Sequence, residues 1–129
     1  MEITTALALL LSLAGGGLVA QDGGVKSLIS KDLAGVPGRE VTMITVEYKP
    51  GESNPVHRHN AQVFVYVLEG SIAMQVKGGE SVTLMPGQTF YEGPDDVHLV
   101  SRNASQTASA KFVVVLVKEK GAPILTPVK

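Results

Sequence analysis

From residue 41 onward, short apolar or β-branched runs alternate with Gly/Pro turns. Residues 41–48 are rich in Val, Ile and Thr and read as a strand that Pro50-Gly51 ends. Residues 63–68, Val-Phe-Val-Tyr-Val-Leu, form a near-continuous apolar run closed by Glu69-Gly70. The run is too short and too β-branched for a helix, so it reads as a buried strand. One of two alternating sets, Val63, Val65 and Val67 or Phe64 and Tyr66, lines an interior while the other covers the outside. Residues 71–77 alternate up to Gly78-Gly79, a hairpin signal. Residues 82–84, 89–92, 97–101 and 111–118 complete a series of about seven or eight short strands, with an extended tail over 121–129. No amphipathic helix separates them, so parallel βαβ units are excluded and an antiparallel sandwich or closed barrel is expected. Closure removes exposed strand edges.

The first twenty residues break this pattern. Residues 3–21 carry no charge, and a leucine-rich core runs into Gly15-Gly16-Gly17 and then Leu18-Val19-Ala20. Residues 1–20 are expected to be a signal peptide cut after Ala20, placing the chain in the periplasm or outside the cell. The basic n-region is missing and Leu18 is large for its place. An uncleaved anchor or a short buried or amphipathic helix therefore stays open, the latter leaving the protein cytoplasmic. Residues 21–129 then form one domain with its core at about 40–118, and no stable membrane span is expected after processing.

Composition narrows the function. Eleven Lys+Arg against twelve Asp+Glu give a net charge of −1, with no basic cluster and no Trp, so no nucleic-acid partner is expected. No Gly-rich phosphate loop is present. With no Cys, any metal must be held by nitrogen and oxygen donors.

The chain has three histidines, His57, His59 and His98. Residues i and i+2 of a strand share a face, so His57 and His59 present two imidazoles to one side. His98 starts another strand, which a curling sheet can bring opposite the pair. Three neutral imidazoles on one inner face make a site for a divalent first-row metal; three unrelated surface histidines are the plain alternative. Glu92, just before the turn that leads to His98, is the one candidate for an acceptor to an imidazole N–H or an acid/base beside a metal, against a solvated turn residue.

Gly51 through His57-Arg58-His59 to Glu69-Gly70, followed by Pro86-Gly87 through Gly93-Pro94-Asp95-Asp96-Val97-His98 and Asn103, resembles the two motifs of the cupin superfamily, in its small single-domain bacterial form. The resemblance spans roughly residues 40–118. It implies an all-β fold, a cupin-type jelly-roll barrel (an antiparallel double-stranded β-helix) after the signal segment, and one bound Mn, Fe, Ni, Co, Cu or Zn. It also implies a small-molecule substrate and a homodimer paired through sheet edges, with residues 112–117 near the contact. The motif's usual fourth ligand is a Glu whose aligned position here is Val63, which cannot ligate. Gln62 is one residue early. It is a candidate ligand if a bulge at Asn60-Ala61 corrects its phase, and otherwise an exposed polar residue. The expected function is a metalloenzyme of oxygenase type; the alternatives are a metal-dependent module that captures a sugar, phenolic or carboxylate without turnover, and a metal-free structural cupin.

Overall fold

The computed structural model describes residues 24–128. The signal segment expected over 1–20 lies outside the described residues. Among the described residues there are ten strands: β1 (Val25–Asp32), β2 (Arg39–Tyr48), β3 (His57–Arg58), β4 (Gln62–Glu69), β5 (Ile72–Val76), β6 (Val82–Leu84), β7 (Thr89–Glu92), β8 (His98–Asn103), β9 (Ala110–Glu119) and β10 (Thr126–Pro127). They form two five-stranded antiparallel sheets, ordered β1-β2-β9-β4-β7 and β10-β3-β8-β5-β6. The all-β jelly roll expected from the sequence is present.

Strict alternation builds the core. Ile44, Val46 and Tyr48 of β2, Val63, Val65 and Val67 of β4, and Phe112, Val114 and Leu116 of β9 are all buried. Ile72, Met74 and Leu84 face them from the second sheet. The valines of β4 therefore line the interior, and Phe64 and Tyr66 stand outside with Tyr91, each about half exposed. β9 lies between β2 and β4 and pairs with both, so it has no free edge to offer a second copy. The edge-to-edge contact expected near residues 112–117 is thus corrected: only the outward face of β9, with Val113 and Val115, is open to a partner.

Two motif residues have structural work. Gly70 sits at φ +75°, and a Cβ there would stand 2.5 Å from the Ser109 carbonyl oxygen and 2.8 Å from Ala110 Cα. Backbone on both counts leaves room for glycine alone. Asn103 is buried and binds three segments. Its Nδ2 donates to the carbonyls of Ala108 (2.8 Å) and Lys49 (3.1 Å), and its Oδ1 accepts from the Ser105 amide (2.8 Å). It holds the loop after β8 against the end of β2.

The tail is not simply extended. β10 pairs with β3, setting Thr126 opposite Arg58 and Pro127 opposite His57. The turn before it is pinned by Lys118, whose buried Nζ donates to Glu40 Oε2 (2.6 Å) and the Ala122 carbonyl (2.7 Å).

Candidate metal centre

His57 and His98 are register partners across β3 and β8, so the third histidine arrives as the direct antiparallel neighbour of the first and not by curling of the sheet. Ring centroids lie 4.9 Å apart for His57–His98 and 4.7 Å for His57–His59. One ring nitrogen from each of the three can be chosen so that all lie within 4.8 Å of one another.

The orientation of two rings is fixed from behind. His57 Nδ1 lies 2.7 Å from the Pro55 carbonyl oxygen and His59 Nδ1 lies 2.7 Å from that of Ile124. A carbonyl only accepts, so both Nδ1 atoms carry the proton. Both Nε2 atoms are then bare lone pairs in the neutral rings, yet they stand only 3.1 Å apart. Two lone pairs facing each other at that distance repel unless a cation lies between them. A proton on one ring is the weak option, because burial pushes the His57 pKa down to about 4 and also lowers that of His59, against the pull of Glu92. Nitrogens sharing a first-row metal at about 2.1 Å stand about 3.0–3.4 Å apart at cis-octahedral or tetrahedral angles, which the observed spacing fits. Backbone acceptors on ligand imidazoles are the usual means of holding tautomer and orientation.

Glu92 comes from the other sheet, at the end of β7, and is 1% exposed. The solvated turn residue weighed from the sequence is therefore corrected: the alternation of β7 turns its side chain inward. Its Oε2 lies 2.8 Å from His98 Nδ1 and 3.7 Å from His59 Nε2. Close as they are, both Glu92 oxygens and both His98 nitrogens are buried without a hydrogen bond of acceptable geometry among the described residues. Burial pushes the Glu92 carboxyl up, but the His98 ring beside it, with His59 and His57 behind, more than reverses this and holds it below the usual carboxylate range.

Gln62 does not join them. It is exposed on the outer face, where its Oε1 accepts from the Tyr91 hydroxyl at 3.4 Å. Asn60 takes up the irregularity at φ +53°, before β4 begins, and from Gln62 onward β4 alternates strictly. Val63 is inward and apolar, as the sequence implies.

The cluster opens into a cavity of about 330 Å³, at the small end of the range for small-molecule sites. Val46, Val63, Val65, Met74, Phe112 and Val114 make its apolar walls. A polar group lies on the same cavity: the Tyr48 and Ser101 hydroxyls share a 2.7 Å hydrogen bond, and Asn54 Nδ2 donates to Tyr48 at 2.8 Å. Burial raises the Tyr48 pKa to about 12, keeping it a neutral phenol. Sequence reasoning missed this group and the Pro55 and Ile124 carbonyls. A backbone oxygen leaves no mark in a sequence, and Tyr48 and Ser101 come together only through the pairing of distant strands.

The cupin domain family profile matches residues 44–116. Among curated proteins no relative matches by sequence. Among solved structures, an oxalate oxidase in complex with the substrate analogue glycolate is similar at TM-score 0.62 and 24% identity, covering 90% of this chain and 61% of that one. A conserved double-stranded β-helix protein from Klebsiella pneumoniae subsp. pneumoniae matches at TM-score 0.64 and 16% identity, covering 81% and 82%. The lyase DddQ, a DMSP lyase from Ruegeria pomeroyi, matches at TM-score 0.59 and 17% identity over 67% of this chain, which spans only 42% of that protein. These likenesses are of fold; the profile, covering more than half of the 129 residues, places this chain in the cupin domain family.

Proposed function

We propose that this chain is a metal-dependent enzyme of oxygenase type acting on a small molecule, with His57, His59 and His98 as metal ligands. The observation that carries the reading is the pair of Nε2 lone pairs held 3.1 Å apart by backbone carbonyls behind each ring. A divalent metal bound there would supply Lewis-acid or redox chemistry at its open positions. The chain's own residues do the rest. Apolar walls exclude water and accept a hydrocarbon body, and the three rings fix where an oxygen-donor head sits. The Tyr48–Ser101–Asn54 group offers hydroxyl and amide contacts to a second polar end.

A capture module without turnover is the second reading. Two of the similar structures are named as enzymes, an oxalate oxidase and a DMSP lyase, which supports small-molecule chemistry in this fold. The test is oxygen uptake by Mn- or Fe-loaded protein with catechols, flavonols, diketones and small carboxylic acids. Metal-dependent uptake that chelation abolishes is expected; tight binding of one of these compounds with no product would instead establish the capture module.

Export of the chain and homodimer formation belong to the same proposal. The contact is expected on the outer face, where the Phe64 and Tyr91 rings lie 5.1 Å apart beside Tyr66. Light scattering should give twice the chain mass and, for Phe64→Glu/Tyr91→Glu, the monomer mass; monomer for the unaltered protein would contradict it.

A further inference from the structure

We infer that the carboxylate of this centre has crossed the β4–β7 ladder: Glu92 is a fourth, anionic ligand, reaching from the opposite strand the place that Val63 cannot serve. The inference rests on the metal reading above and adds one donor to it.

Register makes the exchange possible. Val63 and Glu92 are direct partners in the antiparallel pairing of β4 and β7. Partners across such a ladder point to the same face with Cβ atoms about 4.5–5.5 Å apart. A carboxylate on either strand therefore reaches the same region of the barrel interior. Val63 keeps its side of that pair apolar, and Glu92 supplies the charge from the other.

The contacts distinguish a ligand from a mere acceptor behind a ring. An acceptor of that kind sits beside one imidazole nitrogen, on the side away from the metal, as the Pro55 and Ile124 carbonyls do here. Glu92 Oε2 instead lies 3.7 Å from His59 Nε2, the nitrogen that faces the centre, as well as 2.8 Å from His98 Nδ1. The 3.7 Å contact of Glu92 Oε2 and the 3.1 Å contact of His57 Nε2 meet at the same atom, His59 Nε2, so the carboxylate oxygen stands on the open side of that ring with the facing nitrogens. Both Glu92 oxygens are buried with no hydrogen bond of acceptable geometry among the described residues, and their close polar contacts are the His98 and His59 rings. A buried carboxylate without a hydrogen-bond donor is stable beside a cation. One carboxylate also brings the net charge of a divalent site from +2 to +1 and adds the oxygen donor that suits Mn and Fe.

The test moves the carboxylate back. Mn(II) binding would be followed by titration calorimetry and by the Mn(II) electron paramagnetic resonance line shape, on full-length protein, with circular dichroism checking the fold. Glu92→Gln and Glu92→Val are expected to weaken Mn(II) by more than about 100-fold, beyond the about 10–100-fold typical of losing an outer partner. The double exchange Val63→Glu/Glu92→Val is expected to recover affinity to within about tenfold of the unaltered protein. Unchanged Mn(II) affinity and line shape in Glu92→Gln, while His98→Ala loses the metal, would overturn the inference and leave the three-histidine reading standing. Loss in folded Glu92→Val without recovery in the double exchange would overturn it too. No Mn(II) binding by the unaltered protein would remove the metal reading itself.

Discussion

Replacing His98 with alanine is expected to leave the barrel folded and to lower metal affinity by more than about 100-fold, taking the metal content of the purified protein to below about a tenth of an ion per chain. The ring is 3% exposed, lies directly across from His57, and stacks on Phe90 at 5.9 Å. Its loss removes one of the three imidazoles and leaves His57 and His59, in and just after a two-residue strand, with Glu92 beside them. The packing lost is partly offset. Both ring nitrogens are buried without a hydrogen bond of acceptable geometry, so removing them removes poorly satisfied polar atoms, although the 2.8 Å contact with Glu92 goes with them. The net loss of stability is expected to be about 1–2 kcal/mol, less than the roughly 3 kcal/mol or more of a large core truncation. Elemental analysis beside a thermal melt separates the two effects. Equal metal in the variant and the unaltered protein would refute the three-histidine site.

The metal-free protein is expected to lose on the order of 3 kcal/mol of stability as pH falls from about 6.5 to about 4. Burial lowers the His57 pKa to about 4 in the folded state, while the unfolded chain has the ordinary value of 6.5. Between these values the unfolded state binds the extra proton, so stability rises with pH across the window and falls on acidification. The contribution is complete above about 6.5 and gone below about 4. His59 shifts in the same direction for the same reason, and adds to the slope. Glu92 acts lower: its folded pKa is depressed, so its contribution is present above the unfolded carboxylate value and is lost as pH falls through the folded one. Urea midpoints at pH 7.5 and 4.5 measure the sum. A midpoint that does not fall at the lower pH would contradict the burial of these rings. Saturating Mn should raise the midpoint at pH 7.5, because an ion that binds only the folded state stabilises it by mass action.

Much of the fold is legible in the sequence because its inner face is so regular. Parity sorts β4 and β9 into two sets, and the structure shows the inner ones to be Val63, Val65 and Val67 and Ala110, Phe112, Val114 and Leu116. β1 escapes this logic. All eight of its residues are exposed, and a bulge between Ser27 and Ile29 breaks the alternation, so neither period nor burial marks it. The His57–His59 pair is equally a matter of parity. His98 needs one further step, the pairing of β3 with β8, which the motif supplies. Glu92 and Gln62 show where such reading stops. Both are polar residues at strand ends, and neighbouring sequence gives Gln62 the better claim because it adjoins Val63. Only the pairing of β7 with β4 shows that Glu92 faces the histidines, while the turn at Asn60 leaves Gln62 outside. Non-local register decides the ligand field, and one strand's sequence does not contain it. The tail is similar: Thr126 and Pro127 look like a loose end, yet their pairing with β3 brings the Ile124 carbonyl to His59.

All of this turns on whether the two facing imidazoles share a metal ion. The most direct measurement is the metal content of the unaltered protein, as purified and after refolding with Mn(II) or Fe(II) followed by desalting. About one ion per chain is the predicted result, from the three imidazole nitrogens that lie within 4.8 Å of one another with the Glu92 carboxylate beside them. A folded protein that retains no stoichiometric metal under either condition would contradict it.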